Sequence, residues 1–406
     1  MEEIFLMTFL NSSDSVESVL ETFSGILDAL HVGRVFRILV SFSAEVPSDF
    51  SEKFYDLLQQ RNFNPDDFFL HFISMVDLCR VVDAALVELQ ASEECVTCNE
   101  NDLLPRTVFA QDQFSVLEGE AGINYILNMI YAYLNFSEGY VGPALIDQAF
   151  AFDYGIRPCA LTFNGGNVLA GEDFLLIGRD TITSNADTLG LESVEVLERF
   201  RQYYGVAYIH EIGSPTPYPT EPNFSQGRWQ PVFHLDMYLT LGGPINKAGA
   251  DREEVVFVGK LQILPAENEA KSEEEGEEIL QMVRKVAKNL DRTALGFPKQ
   301  LSAEIGITVL RFPLLLDLET GYYISWNNCL VENMGPGHKR TVYLPDYCTE
   351  PDSRYEPYQQ QVIDVLEKAG FDYVLVNNDF LKYSLQYRGS LHCMVKVLRR
   401  GKFLAD

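Results

Sequence analysis

The chain has 406 residues, 47% hydrophobic and 22% charged, the balance of a globular protein able to bury one large core or two ordinary ones. Its 59 acidic against 31 basic residues give a net charge of −28, which excludes general binding to nucleic-acid phosphates and suits either a cationic partner or plain solubility. Seven scattered cysteines exclude a disulfide framework, no window reaches the ~20 apolar residues of a membrane span, and the acidic start MEEIFLMTFL excludes a secretory leader, so a cytoplasmic protein with reduced thiols and no membrane partner is expected.

The elements alternate from the start. A strand is predicted over 3–9, then a helix over 14–33 with Val16, Val19, Leu20, Phe23, Ile26, Leu27 and Leu30 on one face and Gly33 at its end. A strand (35–43), a helix (47–63), a strand (66–74), a helix (76–90) and a short strand (94–98) follow. The class is therefore α/β or α+β. The middle is richer in strands, at TVFAQDQFSVLEG, GNVLAGEDFLLIGR and PVFHLDMYLTLGG, with one helix over 184–205. The stretch 214–227 holds four prolines and reads as a long loop, of the kind that covers sites. An acidic run leads into a helix near Glu277. Strands return at ITVLRFP and GYYISWNNCLVE, a helix at 353–370, and strands at FDYVLVNN and LHCMVKVLR. No repeat of fixed period is visible in the letters.

Several residues carry chemistry. On a strand through PVFHLDMYLTLGG, period two puts His234 and Asp236 on one face, which reads as an imidazole beside a carboxylate or as the wet face of an edge strand. Asp112 lies between Gln111 and Gln113, and Phe109, three residues before it, is a candidate wall over a flat cationic group. Gly165 and Gly166, between Asn164 and Asn167, permit a close backbone approach or a tight turn. Cys95 and Cys98 have metal-site spacing but no matching second pair. Arg157 and Arg388 are candidate carboxylate binders. Cys393 is either a buried thiol or a nucleophile. Read on a strand, its neighbour His392 points to the opposite face and need not share the site.

Taken in chain order, four stretches resemble the catalytic domain of the peptidylarginine deiminases, within the guanidino-group modifying enzymes of the pentein fold. They are VFAQDQF, FNGGNVLAGEDFLLIGRD, FHLDMYLT and FDYVLVNNDFLKYSLQYRGSLHCMVKVLRR. The likeness runs from about residue 63 to the end. It implies a five-bladed α/β propeller; residues 1–62, outside the likeness, read as a small βαβα segment, an extra module or an added packing layer. It also implies roles: Asp112 and Asp236 bind the guanidinium, His234 is the acid and base, and Cys393 is the nucleophile. Phe109, Asn167, Arg157 and Arg388 are the candidate substrate-binding residues, the two arginines for the carboxylate of a small guanidine. The expected reaction is deimination of arginine in a peptide or protein to citrulline and ammonia; the alternatives are a deiminase of a small guanidine such as free arginine or agmatine, and a binding propeller without turnover. Gln113, Ser115, Val168 and Leu169 stand where calcium-dependent relatives carry acidic ligands, so neither calcium nor another cofactor is expected.

Overall fold

A computed structural model describes residues 3–7, 16–29, 37–43, 49–62, 68–73, 115–118, 124–129, 154–171, 173–212, 234–245, 253–265, 306–320, 322–333, 339–348, 350, 352–377 and 389–399. The expected helix 76–90, the Cys95–Cys98 pair, Phe109, Asp112, the 214–227 loop, the helix near Glu277 and Arg388 lie outside them. The chain divides into two units, Met1–Gly165 with Cys393–Leu404, and Gly166–His392 with Ala405–Asp406.

In the first unit, β1 (Glu3–Met7), α1 (Val16–Ala29), β2 (Arg37–Ser43), α2 (Phe50–Gln60) and β3 (Phe68–Ile73) follow the predicted alternation. β1 pairs parallel with β2, and β2 with β3, because a helix crosses over between each pair. On its other side β1 pairs antiparallel with the C-terminal strand Val395–Arg399. Helix α1 buries Ile26, Leu27 and Ala29, and α2 buries Phe54 and Leu58, which share a face at i and i+4. Arg61 at the end of α2 donates from Nη2 to Asp28 Oδ2 at 3.0 Å and also reaches Ser24, tying the two helices together. A second sheet holds β4 (Ser115–Glu118), β5 (Asn124–Met129) and β6 (Tyr154–Cys159), antiparallel and then parallel.

The sheet β1–β3 runs across residue 62, where the sequence places a boundary. A chain beginning at residue 63 lacks the two central strands, leaving β3 and the C-terminal strand unpaired. In circular dichroism the full chain is expected to melt in a cooperative transition and the truncated chain is not.

The second unit opens with β7 (Val168–Ala170), β8 (Phe174–Gly178), α3 (Arg179–Leu189), α4 (Ser193–Tyr204) and β9 (Tyr208–Ile212). The single strand expected through GNVLAGEDFLLIGR is a hairpin, closed by Gly171 N–H bonding to the Phe174 carbonyl. The single helix expected over 184–205 is two. Gly190 takes φ +62 and ends α3, and Glu192 then starts α4 with a capping box to Glu195. A four-stranded sheet follows, β10 (Leu239–Ile245), β11 (Glu253–Leu264), β12 (Gly306–Asp317) and β13 (Tyr322–Ser325), paired antiparallel, parallel, antiparallel. The expected strand GYYISWNNCLVE is also two, β13 and β14 (Leu330–Asn333), separated by a turn at Trp326–Asn328. β14 pairs antiparallel with β15 (Arg340–Asp346), helix α5 (Glu356–Lys368) crosses over, and β16 (Asp372–Asn377) pairs parallel with β15.

Among the described residues the strands form five sheets, and each contains an antiparallel pair followed by a parallel one. This repeat exists in structure without a repeat in the letters. The core beneath β10–β12 is filled by Leu235, Met237, Tyr238 and Leu239 against Val256, Val258, Leu314 and Leu316. Each such buried side chain contributes roughly 1.5–3 kcal/mol, which fixes the segment leading into β10.

Candidate active site

His234 and Asp236 do not lie on a strand, as the period-two pattern predicts. They occupy a single 3₁₀ turn over Leu235–Met237, with His234 at its N-cap, and β10 begins only at Leu239. The turn forms because Tyr238 N–H bonds back to the Leu235 carbonyl at 2.9 Å. It is pinned from both sides. The Ser325 hydroxyl donates to the Met237 carbonyl, and Gly259 N–H donates to the Tyr238 carbonyl at 2.7 Å. His234 is 6% exposed and Asp236 2%. An imidazole and a carboxylate this deep need polar surroundings, since burial without partners is costly.

The double glycine supplies one wall. Gly165–Asn167 is a 3₁₀ turn, and a Cβ built on Gly166 would lie 2.8 Å from His234 Nδ1 and 2.9 Å from Asp236 Oδ2. Gly166 is therefore a site of close backbone approach to both side chains, which no larger residue allows. Asn167, next to it, points elsewhere. Its amide donates to Asp180 Oδ1 at 3.0 Å and to Thr181 Oγ1 at 2.7 Å, bracing the turn against the start of α3. Gly178 makes room for that amide. Burial holds the Asp180 carboxyl above its usual range, opposed by the Asn167 hydrogen bond and by the charge of His234.

The other wall corrects the sequence reading of His392. Residues 391–394 are a short helix, α6 (Leu391–Met394), not the start of a strand, so the opposite-face rule does not apply. His392 Nδ1 lies 2.8 Å from Asp236 Oδ2, and the His392 N–H donates to the Asn328 carbonyl at 3.2 Å. The preceding Ser390 is fully buried, its hydroxyl 2.9 Å from that of Tyr347, which also bonds the Ser325 carbonyl. Ser325 thus serves both the turn carrying Asp236 and the segment carrying His392. Asn327 closes the layer, its amide donating to the Phe257 carbonyl at 3.1 Å.

The turn at Trp326–Asn328 is followed by a thiol. Cys329 is buried, and burial pushes it up to about 12, with the charge of Asp236 acting in the same direction. Cys393, the residue after His392, is 1% exposed and belongs to the first unit. Arg157 stands on β6 opposite Leu127. Among the described residues no group of three or more His, Cys, Asp or Glu side chains is placed to hold a metal ion. None of their helices is long and apolar enough to cross a membrane.

No protein-family model and no curated relative matches the sequence. Solved structures do. An agmatine deiminase from C. jejuni with substrate bound is 12% identical, with TM-score 0.57 over 99% of this chain and 94% of that one. An agmatine deiminase of Enterococcus faecalis is 13% identical, with TM-score 0.55 over 97% and 92%. A provisionally named peptidyl-arginine deiminase is 12% identical, with TM-score 0.56 over 98% and 96%. The chain has the mixed α/β fold of these deiminases.

Proposed function

We propose that the protein is a cysteine hydrolase that deiminates a small guanidine, free arginine or agmatine, in the cytoplasm. The observation that carries this reading is the buried His234–Asp236 turn, backed by Gly166 and tied to His392, in a chain whose fold matches agmatine deiminases nearly end to end. On this reading the five sheets are the blades of a propeller, and residues 1–62 belong to the blade that receives the C-terminal strand.

A guanidinium is planar and cationic, and its carbon is a poor electrophile. Asp236, with Asp112 as the proposed second carboxylate, accepts hydrogen bonds from its N–H groups and fixes its plane. The Cys393 thiolate attacks the carbon, forming a C–S bond and a tetrahedral adduct. His234 gives a proton to one amino nitrogen, the C–N bond breaks and ammonia leaves. A thiouronium remains on Cys393. Water, deprotonated by His234, adds to that carbon, and the C–S bond breaks to release a ureido product and the thiol. Every atom comes from guanidine and water, with no outside oxidant or reductant.

A small substrate is favoured over a peptide because two of the structural neighbours are agmatine deiminases and because EGYVGP (138–143) lacks the arginine that grips a peptide backbone in the resembling family. The second reading, peptidyl arginine, rests on the neighbour of that name. The test is ammonia and ureido product from agmatine, free arginine and an arginine peptide, with and without calcium. Turnover of agmatine or arginine alone is expected. Turnover of the peptide alone would replace the substrate class, and turnover of none would end the deiminase reading.

A further inference from the structure

The strand pattern turns His392 away from the site, yet its ring is hydrogen-bonded to a carboxylate whose side chain is only 3% exposed. A carboxylate oxygen accepts, so Nδ1 carries the proton and donates across the 2.8 Å contact. The backbone that carries the ring is anchored. Its own backbone N–H is held by the Asn328 carbonyl, and Leu391 and Ser390 on its N-terminal side are 1% and 0% exposed. On the other side of the contact, the Asp236 turn is packed by Leu235 and Met237. Two anchored segments thus meet through one hydrogen bond, 156 residues apart in sequence.

We propose that His392 is a positioning residue for guanidine hydrolysis, resting on the function proposed above. Its Nδ1–H fixes the plane and rotamer of the Asp236 carboxylate, and with them the plane in which a guanidinium docks. His392 is bonded directly to Cys393. The same backbone turn therefore carries the nucleophile's Cα and the group that orients the carboxylate. His392 transfers no proton in this scheme, and its role is to keep Asp236 from rotating as charge redistributes on the substrate.

The test compares wild type, His392→Asn and His392→Leu with agmatine and free arginine. Asn places an amide donor near the position of Nδ1, whereas Leu fills the volume without a donor. The Asn variant is expected to keep kcat/KM within about fivefold, and the Leu variant to lose about 100-fold, with KM raised at least about tenfold. The rate of Cys393 alkylation by iodoacetamide is expected to stay within about threefold in both, because the thiol is not the target of the change. If His392→Leu does not give a cooperative melt, His392→Gln, whose donor sits one methylene too far out, takes its place with the same expected loss. Wild-type kinetics in the Leu or Gln variant would overturn the proposal, as would an Asn variant no better than Leu. Alkylation falling in step with turnover would also overturn it, by moving the role to the thiol. Wild type inactive on every guanidine is a different failure, that of the underlying function, and removes both.

Discussion

Cys393→Ala is expected to abolish ammonia release from agmatine or arginine, lowering kcat by at least about 10⁴-fold, in line with the loss of a nucleophile elsewhere. The reason lies in what remains. The guanidinium carbon needs a thiolate, and Cys329 and Cys348 in the second unit do not supply one. Cys329 is pushed up to about 12 by burial, which keeps it a thiol near neutral pH. Cys348, half-buried, is pushed up to about 11 by burial, with the charges of Asp346 and Glu356 adding to it. Neither stands in for the missing nucleophile. Acid-quenched wild type is expected to show, by intact mass, a covalent adduct that the variant lacks. A variant that retains more than about 1% of turnover would remove Cys393 from the role, and an adduct persisting in the variant would point to another thiol.

The alternation of β1, α1, β2, α2 and β3 is legible because each element is long enough to show its own period: Phe54 and Leu58 at helical spacing, for example, face the core. The site is legible in residue type but not in geometry. FHLDMYLT alternates like a strand, but the alternation is an accident of a three-residue 3₁₀ turn in which apolar Leu235 and Met237 flank a buried Asp236. A turn of that length carries too few residues to display a period. The same holds for α6, four residues at the head of a strand-like run. A strand there turns His392 away from the carboxylate that the helix lets it touch. No local pattern signals a contact between residues 236 and 392, since it depends on how two distant turns are anchored. By contrast, the split of the 184–205 helix is written in the chain. Gly190 ends one helix and Glu192-x-x-Glu195 opens the next, so the cap residues, read before the apolar period, place the break.

The double glycine offers the sharpest test of the site independent of any proton-transfer group. Gly166→Ala puts a Cβ 2.8 Å from His234 Nδ1, 2.9 Å from Asp236 Oδ2 and 3.0 Å from its Cγ. Ordinary contacts of this kind need about half an ångström more, so the ring and the carboxylate must both retreat. Neither has room: both are buried, the Asp236 turn is pinned by Ser325 and Gly259, and Asp236 is held by His392. The displacement therefore falls on the groups that orient the guanidinium and move its protons. We expect kcat/KM to fall about 100-fold, because misplacement of this order costs about that much, while overpacking lowers stability by about 1–3 kcal/mol. Gly190→Ala is the matching control. Gly190 has φ +62 with nothing within 4 Å of its added Cβ, so that substitution carries backbone strain of about 1–2 kcal/mol and no clash. The two variants should melt at similarly lowered temperatures, yet only the first should lose turnover. Equal activity in both would mean that Gly166 is a turn residue and nothing more. Loss in Gly166→Ala alone would show that the approach of its backbone to His234 and Asp236 sets the geometry on which hydrolysis depends.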